Sequence, residues 1–86
     1  MAVATINPIE RVARVLAGHA LSSNAEGGLD SAAEAVDASW PDYADAALAI
    51  LRTLREPSTA MAAAGDPKIW ERMIDAALLD EAFPDA

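Results

Sequence analysis

The chain of 86 residues contains no cysteine, only four glycines, a single histidine and few aromatic side chains. Without cysteine, neither a disulfide staple nor a thiolate metal site can be built. A small core must then rest on tight helix packing, oligomerisation or a partner. With one histidine, His19, paired-histidine metal motifs are excluded, and a nucleophilic triad has little to draw on. Its position beside Val12 and Val15 on a helical wheel predicts a partly buried structural residue. Apolar runs are only a few residues long, far below the ~20 needed to cross a bilayer, so no membrane partner is expected. Bases are scarce too: six against fourteen acids, for a net charge of −8. Such a surface repels phosphate backbones, so no direct nucleic-acid partner is expected.

What is present is alanine and helical periodicity. Alanine forms helix readily and permits close approach, but buries little area. The fold class predicted is all-α: a compact bundle of three main helices at about 8–21, 40–55 and 67–80, with short helices at about 31–38 and 57–64. One domain is expected over 1–86, with loose termini at 1–6 and 82–86. Asn7-Pro8-Ile9-Glu10 reads as a helix start, with an asparagine cap, an early proline and a glutamate able to close a capping box. Ile9, Val12, Ala13, Leu16 and Ala20 follow on one face, with Arg11, Arg14 and Gly18 opposite. Residues 22–30 read as a loop. Ser39 is expected to cap the next helix, whose stripe is Trp40, Tyr43, Ala44, Ala47, Ile50, Leu51 and Leu54. Pro57 interrupts it. Gly65 ends a short helix as a C′ residue, and Asp66-Pro67 opens the last one. There Ile69, Trp70, Met73, Ile74, Ala77 and Leu78 form the predicted apolar face, and Glu71, Arg72 and Asp75 the polar one.

No catalytic constellation emerges, so no enzyme, no cofactor and no metal are expected. The serines form neither a GxSxG elbow nor an SxxK pair, and Gly27-Gly28 lacks the spacing of a phosphate cradle, so it reads as a turn. Gly28-Leu29-Asp30-Ser31 resembles the attachment site of acyl carrier proteins, which would imply a carrier modified at Ser31. The family's motif has leucine after the serine where this chain has Ala32, so Ser31 reads as a helix cap. Trp40, Tyr43 and Trp70 at helical spacing read as core rather than interface anchors.

The acids are the most suggestive group. Glu26, Asp30, Glu34, Asp37, Asp42 and Asp45 fall between Ser22 and Ile50 with no lysine or arginine among them. If 31–38 is helical, Asp30, Glu34 and Asp37 share a face at i, i+4 and i+7. One reading is a solvated, solubilising surface. The other is a partner-binding face addressed to a protein with a basic surface, drawn in by long-range attraction.

Trp40, Tyr43, Ala47, Leu51, Leu54-Arg55-Glu56-Pro57, Met61 and Gly65, followed by Trp70 and Met73-Ile74-Asp75-Ala76-Ala77-Leu78, resemble short helical proteins of proteobacterial phages and prophages. The match spans about residues 39–79. It transfers no functional residue and implies only a phage or prophage setting. That setting suggests a non-enzymatic inhibitor of a host defence system, similar in role to an anti-CRISPR protein, whose acidic face meets a host defence nuclease or effector. A homo-oligomeric structural or ligand-sequestering phage protein is the alternative. No charged-then-apolar leader opens the sequence, so the expected location is cytoplasmic, that of the host cell in a phage setting.

Overall fold

A computed structural model describes the backbone over residues 4–24 and 29–80, and side-chain surroundings over 4–22 and 33–80. Among the described residues the structure is helical and contains no strand. Helices run α1 (Pro8–Asn24), α2 (Leu29–Ser39), α3 (Ala44–Leu54), α4 (Thr59–Ala64) and α5 (Pro67–Leu79), with a 3-10 segment, Trp40–Tyr43, between α2 and α3.

The asparagine start holds. Asn7 Oδ1 accepts from the Ile9 amide at 2.6 Å, meeting one of the donors that a helix start leaves unpaired. Its Nδ2 also donates to the Ala77 carbonyl at 3.2 Å, so one buried side chain both caps α1 and ties it to α5. Glu10 does something other than close a capping box: its Oε2 accepts from Arg14 Nε at 2.8 Å.

The segment around Pro41 differs from expectation. Ser39 does not cap a new helix. It is the last residue of α2, with helical backbone, and its hydroxyl donates back to the Ala35 carbonyl at 2.6 Å. Pro41 has no N–H to continue α2, so the chain tightens into a 3-10 turn before α3 begins at Ala44. The 22–30 loop is likewise shorter than expected, because α1 continues through Asn24 and α2 already begins at Leu29. Ser31 is therefore the third residue of α2 rather than its cap. Glu26 and Gly27-Gly28 lie outside the described residues.

α4 starts at Thr59 rather than at Pro57, because Ser58 accepts from the Met61 amide at 3.2 Å and sets the first turn. Gly65 ends it in extended backbone with its amide on the Met61 carbonyl, so no left-handed turn is formed there. Asp66 caps α5 through the Lys68 amide at 2.9 Å, with Pro67 following it as expected.

α1 is the central element, packing on α2, the 3-10 segment, α3 and α5. The core is thin. Ile9, Ala13 and Ala17 of α1 meet Trp40, Ala47, Leu51 and Ile74, with Val12, Val36, Tyr43, Leu48, Trp70 and Leu78 packed around them. The alanines let the helix axes close up, and among the described residues Ile9 is the only large side chain that is fully buried. Gly18 lies toward α2 rather than solvent, with Val36 Cγ2 at 3.8 Å from where a Cβ would stand. α4 buries no residue. The radius of gyration, 15.1 Å, exceeds the ~12 Å of a close-packed domain of this length.

Candidate interaction surfaces

The predicted acidic residues occupy consecutive elements. Asp30, Glu34 and Asp37 fall at i, i+4 and i+7 on the helical backbone of α2, Asp42 on the 3-10 segment and Asp45 in the first turn of α3. Glu34, Asp42 and Asp45 are exposed, and among the described residues none of the three forms an ion pair. Asp42 and Asp45 also sit where the N-terminal ends of their helical segments favour negative charge.

Asp37 stands apart. Arg14, expected on the solvent side of α1, instead reaches across to α2, and its Nη1 meets Asp37 Oδ1 at 2.6 Å while its Nε holds Glu10. Its guanidinium lies 5.5 Å from the Trp40 ring centroid, over the aromatic face. Bonding to Asp37 first, and to Glu10 second, raises the Arg14 pKa above its ordinary value. The absence of bases between Ser22 and Ile50 is thus offset at one position by an arginine that the fold brings in from α1.

His19 is exposed rather than partly buried. It lies on the side of α1 turned away from Ala13 and Ala17, and those small residues admit only a narrow contact face. Among the described residues no group of three or more histidine, aspartate or glutamate side chains could hold a metal ion, and no helix is long and apolar enough to cross a membrane.

A second surface was not anticipated. On α5, Ile74 is buried and Trp70, Ala77 and Leu78 are half-buried, but Ile69 and Met73, expected in the apolar face, are 48% and 62% exposed. Leu79 is 78% exposed and Leu54, at the end of α3, is also largely open. Pro57, Met61, Ile69, Trp70 and Met73 line an open groove of about 330 Å³ between α4 and α5. The physical reason lies in α4 itself. Residues 57–64 carry one large apolar side chain, Met61, so this short helix cannot cover the far side of α5. That scarcity was visible in the sequence and was the signal for an open face.

Polar contacts fix the walls of the groove. Trp70 Nε1 donates to the Leu54 carbonyl at 2.7 Å, tying α5 to the end of α3. Arg55 grips Asp75 with two hydrogen bonds, Nε to Oδ1 at 2.7 Å and Nη2 to Oδ2 at 3.1 Å. This bidentate bond holds the Asp75 carboxyl below its ordinary value and raises Arg55 above its own, while partial desolvation opposes both shifts. Asp75, expected on the solvated face, is therefore half-buried and engaged.

Both halves of the chain are net acidic: residues 1–50 carry seven acids and two bases, and residues 51–86 carry seven acids and four bases. Comparison with known protein families, curated proteins and solved structures returns no match for this chain. The phage-like segment at 39–79 accordingly enters below only as part of a proposal.

Proposed function

We propose that this chain is a non-enzymatic binding protein that captures a protein with a basic surface through the acidic face of α2, the 3-10 segment and the start of α3. The observation that carries this reading is the exposure of Glu34, Asp42 and Asp45, none of them ion-paired among the described residues, in a stretch without a base of its own. Like charges held this way repel one another, a cost that a cationic partner would remove while steering its own approach. Asp37 contributes less to this attraction than spacing alone suggests, since Arg14 already neutralises it. In the phage setting implied by the resemblance over 39–79, the partner is a host defence nuclease or effector, and capture inhibits it.

The test is a triple charge reversal, Glu34→Lys, Asp42→Lys and Asp45→Lys, with helicity checked by circular dichroism. The tagged chain is incubated with proteobacterial lysate at low and at high salt. Wild type is expected to retain basic host proteins at low salt and to lose them near molar salt, where screening shortens to ~3 Å. The folded triple variant should retain none. An unchanged set of captured proteins would refute the acidic face as the binding surface.

A further inference from the structure

Little apolar burial holds α2 to the rest of the chain. It packs on α1 and on the 3-10 segment that follows it. Among its described side chains, residues 33–39, none is buried, and Val36 is the one that packs against the core cluster. Val36 faces Gly18 of α1, which offers no side chain to meet it.

The charges of α2 add nothing to that hold. Asp30, Glu34 and Asp37 share one helical face with no base on the helix, and like charges at this spacing repel. Asp37 also stands in the last turn, where the negative end of the helix dipole disfavours an acid and favours a base; α2 has no base there. Arg14 supplies that missing cation from α1. Its Nη1 bonds Asp37 Oδ1 at 2.6 Å, across twenty-three residues of sequence.

The arginine is positioned independently of Asp37. Glu10, on the same helix, holds its Nε at 2.8 Å, and its guanidinium lies 5.5 Å from the ring centroid of Trp40, which is buried in the core. If Asp37 moves away, Arg14 keeps both partners, while Asp37, with 67% of its side chain exposed, is taken up by water. Neither group is stranded in a buried and unpaired state, which is what makes breaking an ion pair costly. The contact can therefore be made and broken repeatedly.

We propose that α2 opens from α1 as a unit, turning about the Trp40–Tyr43 segment, with the Arg14–Asp37 pair as its latch. Pro41 provides the pivot: lacking an N–H, it cannot carry the hydrogen-bond ladder of α2 into α3, so α2 moves without unwinding α3. Among the described side chains, opening breaks one exposed ion pair and uncovers one partly buried valine, whereas opening α3 would uncover Ala47 and Leu51. Segments with few buried contacts form the low-stability end of a fold and open before the rest. The consequence for the acidic surface is geometric. Glu34 and Asp37 ride on α2 while Asp42 and Asp45 follow Pro41, so the latch sets the distance between the two pairs. The inference does not depend on capture of a basic partner, because the opening is read in the chain alone.

Native-state hydrogen exchange of the full chain, resolved by NMR in increasing urea, tests it. Amides of 33–39 should exchange about tenfold faster than those of α3, with a shallower dependence on urea, since a local opening exposes less surface than global unfolding. Arg14→Gln should speed exchange in α2 about three- to fivefold, the size expected for loss of an exposed pair, and leave α3 and α5 unchanged. In an Asp37→Asn background the same Arg14→Gln change should have no further effect, which separates a latch from a residue that merely supports α1. Circular dichroism checks that each variant is folded. If α2 of the wild type exchanges only with global unfolding, at the rate and urea slope of α3, the proposal is overturned. It is equally overturned if Arg14→Gln leaves α2 at the wild-type rate, speeds all helices alike, or acts with undiminished force in the Asp37→Asn background.

Discussion

Asn7 offers a way to measure how the two ends of the chain are held together. Its carbonyl oxygen caps α1 on the Ile9 amide and its amide nitrogen reaches Ala77, seventy residues away. Removing a helix cap costs about 1 kcal/mol. A partly buried long-range hydrogen bond is worth about 1 kcal/mol net. Asn7→Ala should therefore destabilise by about 2 kcal/mol, a large share of the roughly 4–13 kcal/mol available to a domain of this size. Asn7→Ser separates the roles, because serine can cap the helix but is too short to reach α5. It should cost about 1 kcal/mol, with the melting temperature falling by about 4–8 °C and by roughly twice that for Asn7→Ala.

Urea and thermal unfolding followed by circular dichroism would read both variants. If Asn7→Ser were as unstable as Asn7→Ala, the cap would be idle. If it matched wild type, the tether to Ala77 would be idle. Either result refutes the division of labour drawn from the geometry. Hydrogen exchange in α5 adds a second reading, since only loss of the tether should speed exchange there.

Two further outcomes follow from local structure. Gly18→Ala should stabilise by about 1 kcal/mol in chemical denaturation, because the helix interior favours alanine and the new methyl would meet Val36 Cγ2 at an ordinary 3.8 Å; a loss of stability would mean that α1 and α2 pack more tightly than this distance allows. Asp75→Asn should be less stable than wild type at neutral pH but converge with it in acid: the Asp75 carboxyl titrates below 3.8 when folded, so its contribution is complete above that value and disappears as pH falls through the folded one. A stability gap that persists unchanged to pH 2 would refute the Arg55 pairing as its source.

Helix starts were legible where a cap and a proline stand together, as at Asn7-Pro8 and Asp66-Pro67. Ser39-Trp40-Pro41 looks the same in sequence and behaves differently. There a helix was already running into the motif, so the serine hydroxyl turned back to Ala35 and the proline tightened the turn rather than starting a helix. Periodicity found Ile9, Ala13, Ala47, Leu51 and Ile74 because each lies at the centre of its stripe. It failed for Ile69 and Met73, since a stripe marks which residues are apolar but not whether a neighbour is large enough to cover them. The acidic stretch was legible as composition. Its partial neutralisation was not, because Arg14 is twenty-three residues from Asp37 and meets it only through the packing of α1 on α2.

The distribution of side-chain size shows where the packing is incomplete. Positions with no exposure at all are held by Ala13, Ala17 and Ala47, while Ile69, Met73 and Leu79 stand largely outside. Burying any one of these larger side chains would yield about 1.5–3 kcal/mol, comparable with a sizeable part of the stability of so small a domain. Packing among the described residues leaves that stabilisation unused on the solvent side of α5, because α4 has only Met61 to set against it. Acids are no sparser in the half of the chain that holds α5: residues 51–86 hold seven of the fourteen, against four bases, so what sets the α5 face apart is its uncovered apolar side chains and not its charge.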